Sequence, residues 1–359
     1  MLNIRRILHP TDLTPFAEAA FRHAAELAQL FGAELHVLHV VPRMGAHAFL
    51  QLDGKGTDDD RPEDPWHNVT NALDELLAPW KGRVDIHRVG AYAPLPGPAI
   101  VDYAGEEDVD LIVMGTYQDG TKPIDILGGA AREVIHRAPC PVLTVNRARV
   151  GAGPVRIAHV MAPLDPLGNI VAEVRYANEF AQMYGAKLSL VHVLNGTQAG
   201  LAEDPALESI AAAAREQVQT RYEDALRQLR EQELLVEALD EIHVHVLIGP
   251  EGAEIIRFIE EQNVDLVVFT MRKPIEGGGA DLVEYVAARA PCPVLSVTEI
   301  GKSRIDLPSK PPEEQVTVEV LEGDAGLPPA GITVQPRDST QRPVRRKSVK
   351  AEISSADPA

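Results

Sequence analysis

The sequence has few cysteines, few aromatic residues and no excess of positive charge. Two cysteines in 359 residues are too few for a secreted fold that depends on disulfides. Aromatic residues make up 4% although hydrophobic residues reach 45%, so the core is built from Ala, Val, Leu and Ile. The formal net charge of -19 argues against nucleic acid or an anionic membrane as partner, because both would repel this surface.

Long apolar runs are also missing. No stretch is long enough and free enough of charge to cross a bilayer, and the N-terminus MLNIRRILHP has no apolar region typical of a signal peptide. We therefore expect a cytoplasmic protein with no membrane partner. Cys140 and Cys292 are then free, buried thiols outside any metal-ligand cluster.

What the sequence does contain is an internal repeat. The peptide RAPCPV at 137–142 returns at 289–294, HPTDL at 9–13 returns as APLDP at 162–166, and FGAELHVLHV at 31–40 returns as YGAKLSLVHV at 184–193. The spacing stays at 152 or 153 residues. This register predicts a first domain at 1–150 and a second at 151–299, followed by a low-complexity tail at 300–359 that we expect to be mostly disordered.

Each repeat alternates strand-like and helix-like segments. In the first, 4–8 is typical of a strand, and 16–31 places Ala20, Ala24, Leu27 and Leu30 on one helical face before Gly32. Alternation of this kind predicts a parallel sheet covered by helices on both faces. The segment 42–64, rich in Gly, Asp and Pro, is interpreted as a mobile insertion.

A glycine-bearing loop stands out at 110–145. The apolar run 111–114 ends at Gly115, and the loop leads into a helical segment at 130–137 and a last strand at 142–145. A strand, loop and helix in this order can hold an anion on backbone N–H groups at the helix N-terminus. In the second copy, Gly115 becomes Thr270 and Gly128-Gly129 becomes Ala280-Asp281, so a carboxylate would repel phosphate there.

The motifs ILHPTDLT, LHVV, DLIVMGT and REVIHRAPCPVLTV together resemble the universal stress protein family in its tandem two-domain form, over nearly all of residues 1–299. The resemblance implies two flavodoxin-like, Rossmann-like doubly wound α/β domains. Each would have a five-stranded parallel sheet of order 3-2-1-4-5. Many members of the family bind ATP at the carboxyl ends of the strands, where an open sheet of this kind holds its ligands.

The resemblance also implies site residues in the first repeat. Adenine and ribose would contact residues after strands one, two and four, and phosphates would meet backbone N–H groups of the following helix; the positions are Pro10, Thr11, Asp12, Val40, Met114, Gly115, Gln118, Gly128, Gly129 and Ala130. Two positions depart from the pattern of the family. Gln118 replaces a glycine, and Gly129 replaces a hydroxyl residue, which removes one hydrogen bond of about 1 kcal/mol.

We therefore expect a regulatory or protective stress-response protein that is not an enzyme. It would bind ATP or another adenine nucleotide in the N-terminal domain only, with Mg²⁺ present only if nucleotide is bound. A nucleotide-free pseudo-dimer that serves as a platform for an unidentified protein partner is the first alternative, and a slow ATP hydrolase is the second. The last strands of the two repeats, 142–145 and 294–297, are expected to pair with each other.

No catalytic residue and no metal site are predicted. The sequence contains no Gly-x-Ser-x-Gly elbow and no Walker lysine motif. The histidines are interpreted as core or edge residues. His9 is the exception that deserves a test, because it adjoins the predicted nucleotide site and Ala162 replaces it in the second repeat.

Overall fold

The structure is a computed structural model that describes residues 4–43, 48–51, 65–116, 127–146, 155–164, 170–195, 242–271 and 280–298, with helical pieces between 212 and 231. The tail predicted at 300–359 lies outside these residues, as does the loop that carries Gln118.

The first repeat alternates strands and helices as predicted. Its elements are β1 (Arg6–Thr11), α1 (Pro15–Phe31), β2 (Glu34–Pro42), β3 (Ala48–Gln51), α2 (Pro65–Leu77), β4 (Ile86–Ala93), α3 (Pro96–Glu106), β5 (Leu111–Gly115), α4 (Gly129–Arg137) and β6 (Val142–Val145). A short 3₁₀ turn, Ala78–Trp80, extends α2.

The second repeat follows the same plan. Its elements are β7 (His159–Pro163), α5 (Ile170–Tyr184), β8 (Lys187–Asn195), β9 (Ile242–Gly249), α6 (Glu251–Glu261), β10 (Leu266–Met271), α7 (Ala280–Arg289) and β11 (Val294–Thr298). Of the described helices, none is both long and apolar enough to cross a membrane.

The described strands form one continuous sheet of order β3-β4-β2-β1-β5-β6-β11-β10-β7-β8-β9. In each repeat five strands run parallel in the order 3-2-1-4-5, which confirms the predicted fold class.

One expectation about the first repeat was wrong. Part of the segment 42–64, interpreted as a mobile insertion, forms β3, which pairs antiparallel with β4 because AFLQ supplies a short apolar stretch for the sheet edge.

The two faces of the sheet are covered by separate hydrophobic clusters. On β1, Ile7 belongs to one cluster and Leu8 to the other, since successive side chains of a strand point to opposite faces. Small side chains such as Ala20 and Ala24 let α1 lie close to the sheet, which explains a core with few aromatic residues. Leu30, predicted on this face, is 54% exposed because it falls at the margin of the buried stripe.

Equivalent polar contacts hold the first strand of each repeat. Asp110 Oδ2 accepts hydrogen bonds from the backbone N–H groups of Arg5 and Arg6, at 2.8 and 3.0 Å. Asp265 Oδ2 accepts the matching pair from Ala158 and His159, at 2.8 and 3.0 Å. The repeats therefore share the internal bonds that place the strand ends.

Two histidines at equivalent positions also hold the first strand of each repeat. The Nδ1–H of His39 donates to the carbonyl of Thr11 at 2.9 Å, and that of His192 donates to the carbonyl of Leu164 at 3.0 Å. Burial lowers the pKa of His39, although the Thr11 carbonyl and Asp12 oppose that shift. His39 of β2 thus has a structural role, because it holds the end of β1 in place.

The seam between the repeats is the antiparallel pair β6–β11. Thr144 Oγ1 donates to the carbonyl of Val294 and Ser296 Oγ donates to the carbonyl of Val142, each at 3.1 Å, so the contact is reciprocal. Beside the seam, Glu284 Oε1 accepts from Arg132 Nε at 2.9 Å and also contacts His136 Nε2.

Candidate functional site

A cleft that is open to solvent lies at the carboxyl ends of β1, β2 and β5. It is bounded by residues of α1, α3 and α4. Its lining consists of Pro10, Thr11, Asp12, Ala17, Leu38, Val40, Pro96, Ile100, Met114, Gly115, Thr116, Gly128, Ala130 and Ala131. The position at the carboxyl ends of the strands of an open doubly wound sheet suits a small-molecule site.

The structure brings eight of the ten predicted site residues into this lining: Pro10, Thr11, Asp12, Val40, Met114, Gly115, Gly128 and Ala130. Gly129 is not among the lining residues, although it is the first residue of α4. Gln118 lies outside the described residues.

One wall of the cleft is apolar. Leu38, Val40, Ile100 and Met114 contribute it from β2, α3 and β5. The flat face of an aromatic base is the kind of group that such a wall accepts. Sequence reasoning found Val40 and Met114 through the family motif but missed Ile100, which lies on a helix and outside every recognised motif.

Other lining residues missed from the sequence carry a weak signal. Pro96 begins α3, the helix that connects β4 to β5 and across which the strand order reverses, and Thr116 follows Gly115 within the motif DLIVMGT. A helix start at this point of a doubly wound sheet is expected to reach the ligand crevice. Position in the fold, more than residue type, would have identified them.

Asp12 belongs to a tightly bonded turn between β1 and α1. Its Oδ1 accepts from the N–H of Thr14 at 3.0 Å and from Thr14 Oγ1 at 2.6 Å, while Thr11 Oγ1 accepts from the N–H of Leu13 at 3.0 Å. Leu13 has φ of 61°, a left-handed conformation that costs a non-glycine residue about 1–3 kcal/mol. The turn thus fixes the Asp12 carboxylate at the mouth of the cleft.

The N-terminus of α4 forms the polar end of the cleft. Gly128 is the N-cap, and its N–H already donates to the carbonyl of Thr116 at 2.9 Å. The Gly128 N–H is therefore bonded within the protein, whereas the resemblance to the family implied that it would be presented to a phosphate. The N–H groups of Gly129 and Ala130 have no carbonyl within the helix and remain suited to an anion.

The two glycines at this helix start differ in the space around them. A Cβ on Gly128 would lie 3.2 Å from the backbone oxygen of Thr116, a contact tighter than normal. A Cβ on Gly129 would meet nothing within 4 Å among the described residues. A side chain at Gly128 would require Thr116 to shift by a few tenths of an ångström, whereas a Cβ at Gly129 would require no shift of the described residues.

His9 is buried in the protein and is not among the residues that line the cleft. Its side chain is 0% exposed, its Nδ1–H donates to the carbonyl of Val113 at 2.8 Å, and its ring lies 5.6 Å from that of Phe21. Burial lowers the pKa of His9 to about 4, against smaller opposing effects of Val113 and Asp12. His9 is therefore neutral at pH 7 and packs beneath α1.

In the second repeat, the corresponding edge is described only in part. Thr270, the last residue but one of β10, occupies the position of Gly115 in β5, and Ala280 begins α7. Asp165 and the glycines 277–279 lie outside the described residues. The interpretation of the second repeat as unable to bind nucleotide stays a prediction from the sequence.

Comparison with known proteins gives a consistent result. Residues 3–146 and 156–298 each match the sequence model of the Universal stress protein family. Universal stress protein MJ0531 of Methanocaldococcus jannaschii is 28% identical over 157 residues, which is 40% of this chain and 84% of that protein. Universal stress protein MJ0577 of the same organism is 27% identical over 163 residues, 40% of this chain and 95% of that protein.

Solved structures show the same fold. A functionally unknown protein from Pseudomonas aeruginosa PAO1 matches with a TM-score of 0.55 and 18% identity, over 83% of this chain and 93% of that one. A universal stress protein from Archaeoglobus fulgidus DSM 4304 matches with a TM-score of 0.52 and 17% identity, over 83% of this chain and 99% of that one.

Proposed function

We propose that this chain, which belongs to the universal stress protein family, binds one adenine nucleotide in the cleft of its N-terminal half. Family membership makes it a stress-response protein. The nucleotide would serve a regulatory or protective role, with the occupied and empty clefts as two states that a partner distinguishes.

One observation carries the proposal: eight residues chosen from sequence motifs converge on a single cleft. Their chemistry suits the ligand, because the apolar wall of Val40 and Met114 accepts adenine and Ala130 brings the N-terminus of α4 to the cleft for a phosphate. Gly115 allows the backbone to approach a ribose closely. A nucleotide would bring Mg²⁺ with it, since the described lining offers phosphate no cationic side chain.

The same lining favours a non-catalytic role. Asp12 is the one ionisable residue among the described residues of the lining, and one of its oxygens already binds Thr14. Oδ2 of Asp12 could still act as a general base, but the described lining offers no second ionisable group to assist it. ATP hydrolysis is thus the weaker alternative. The domain limits at 1–150 and 151–299 and the cytoplasmic location stay predictions.

The test is calorimetric titration of the full-length protein with ATP and with AMP, after mass spectrometry of any ligand released by denaturation. We expect one equivalent of adenine nucleotide per chain. A flat titration with no co-purified ligand would refute the proposal and favour a nucleotide-free platform for protein partners.

Two matched variants locate the site. Gly115→Val should abolish binding, because its side chain occupies the space proposed for ribose. Thr270→Val, at the equivalent position of the second repeat, should leave affinity unchanged. If Gly115→Val folds and binds normally, the cleft is not the site; if Thr270→Val loses binding, the halves are wrongly assigned.

A further inference from the structure

A second cluster of polar side chains lies at the amino ends of β2 and β4, at the opposite edge of the first repeat from the cleft. The strand register pairs His36 of β2 with His87 of β4, and Glu34 lies two residues before His36 on the same face. One ligand atom from each of the three lies within 4.8 Å of the others. The rings of His36 and His87 have centroids 4.8 Å apart.

Both histidines in this cluster have a buried nitrogen without a partner. His36 is 5% exposed, and its Nδ1 is bonded to the hydroxyl of Tyr103 at 2.7 Å. The Nε2 atoms of His36 and His87 are both buried without a hydrogen-bond partner among the described residues. Buried polar atoms are nearly always satisfied, and one metal ion between the two rings would satisfy both nitrogen atoms at once.

We propose that Glu34, His36 and His87 form a zinc site. Two imidazole nitrogens and one carboxylate are a donor set that zinc uses when water supplies the fourth ligand. Zinc bonds of about 2.0–2.2 Å place neighbouring ligand atoms roughly 3.5 Å apart, so the three side chains must close in by about 1 Å. Glu34 and His87 have side chains 43% and 41% exposed, which gives the ion an entry path.

The charges around the cluster are mixed. Arg6 Nε donates to Glu34 Oε2 at 3.1 Å, and its guanidinium opposes a bound cation. The second oxygen of Glu34 remains available, because a carboxylate offers two acceptor atoms. Asp85 lies 3.8 Å from His87 Nε2 and adds negative charge at the rim. The Tyr103 bond holds the His36 ring in place, as outer partners do for metal ligands.

The second repeat provides an internal comparison. At the positions of Glu34, His36 and His87 it has Lys187, Ser189 and His243. There Ser189 Oγ satisfies His159 Nε2 at 2.8 Å, and Phe258 stands where Tyr103 stands. The second repeat therefore lacks two of the three proposed ligands and also the hydroxyl that holds the His36 ring. The complete donor set is present in the first repeat and not in the second.

The test uses the tag-free full-length chain, freed of metal and titrated with Zn²⁺ against a chromogenic chelator. Binding of Co²⁺ is followed in parallel by visible absorption. We expect one equivalent of either metal at this site. His87→Ala and Glu34→Gln should each weaken zinc binding at least ~10-fold, and His243→Ala, the matched variant of the second repeat, should leave it unchanged.

Tyr103→Phe distinguishes a positioning residue from a ligand. It should weaken zinc binding roughly 10-fold while the cobalt spectrum keeps its shape, because the three ligand atoms stay the same. Far-UV circular dichroism verifies that each variant folds. The proposal is overturned if the wild-type chain binds no zinc. It is also overturned if the His87→Ala and Glu34→Gln variants bind zinc as tightly as wild type. Gly115→Val should not affect zinc, so this proposal and the nucleotide proposal fail independently.

Discussion

Replacement of His9 by asparagine should flatten the acid side of the stability profile. The folded state holds the pKa of His9 at about 4, below its ordinary value of 6.5, because the ring is fully buried. Between these pH values the unfolded chain binds a proton that the folded chain does not. The contribution of His9 to stability is therefore complete above pH 6.5 and is lost as pH falls towards 4.

The size of this effect follows from the gap between the two pKa values. One pKa unit corresponds to about 1.4 kcal/mol, so the full loss is about 3 kcal/mol, of which about 2 kcal/mol falls between pH 7 and pH 5. The asparagine amide can still donate to the Val113 carbonyl but does not titrate. His9→Asn should therefore lose about 2 kcal/mol less than wild type over that interval, whatever its stability at pH 7.

Urea unfolding at a series of pH values between 5 and 8 measures the difference. The other buried histidines titrate in both proteins, so they cancel in the comparison. Parallel profiles for wild type and His9→Asn would refute the reasoning, since they would mean that His9 is protonated equally in both states.

Two further predictions concern the cleft and the seam. Gly129→Ser should bind ATP about 5-fold more tightly than Gly129→Ala. Both variants add a Cβ in open space, but only serine restores a hydroxyl group, whose hydrogen bond contributes about 1 kcal/mol. Equal affinities in calorimetry would contradict a phosphate at this position. Glu284→Arg should lower the free energy of unfolding by about 1 kcal/mol, because it faces Arg132 at the seam. The double variant Arg132→Glu with Glu284→Arg should recover that loss in urea unfolding, and no recovery would mean that the pair does not stabilise the seam.

Much of the fold could be predicted because the repeat is regular. A constant offset between HPTDL and APLDP predicts two similar domains, and the resemblance to a family supplies the strand order that alternation alone leaves open. The strand β3 could not be predicted, since four residues between Gly-rich and Asp-rich stretches give too short a pattern. Leu30 was misplaced because helical spacing identifies a face but not how wide its buried part is.

The two candidate sites differ in how visible they are in the sequence. Met114 and Gly115 belong to one contiguous motif, so a resemblance can place them in a cleft. His36 and His87 are far apart in the chain, and only the register of β2 and β4 brings them together. A ligand set assembled across neighbouring strands has no fixed spacing in the sequence.

The antiparallel seam gives the molecule a direction. Because β6 and β11 run in opposite senses, the parallel strands of the first repeat end at the edge where those of the second repeat begin. A dimer of two identical subunits joined in this way would offer the same surface at both edges. Here the cleft of the first repeat opens at one edge, and the cluster of Glu34, His36 and His87 lies at the other. A partner that approaches from either side therefore meets a different surface and can recognise which end of the protein it has reached.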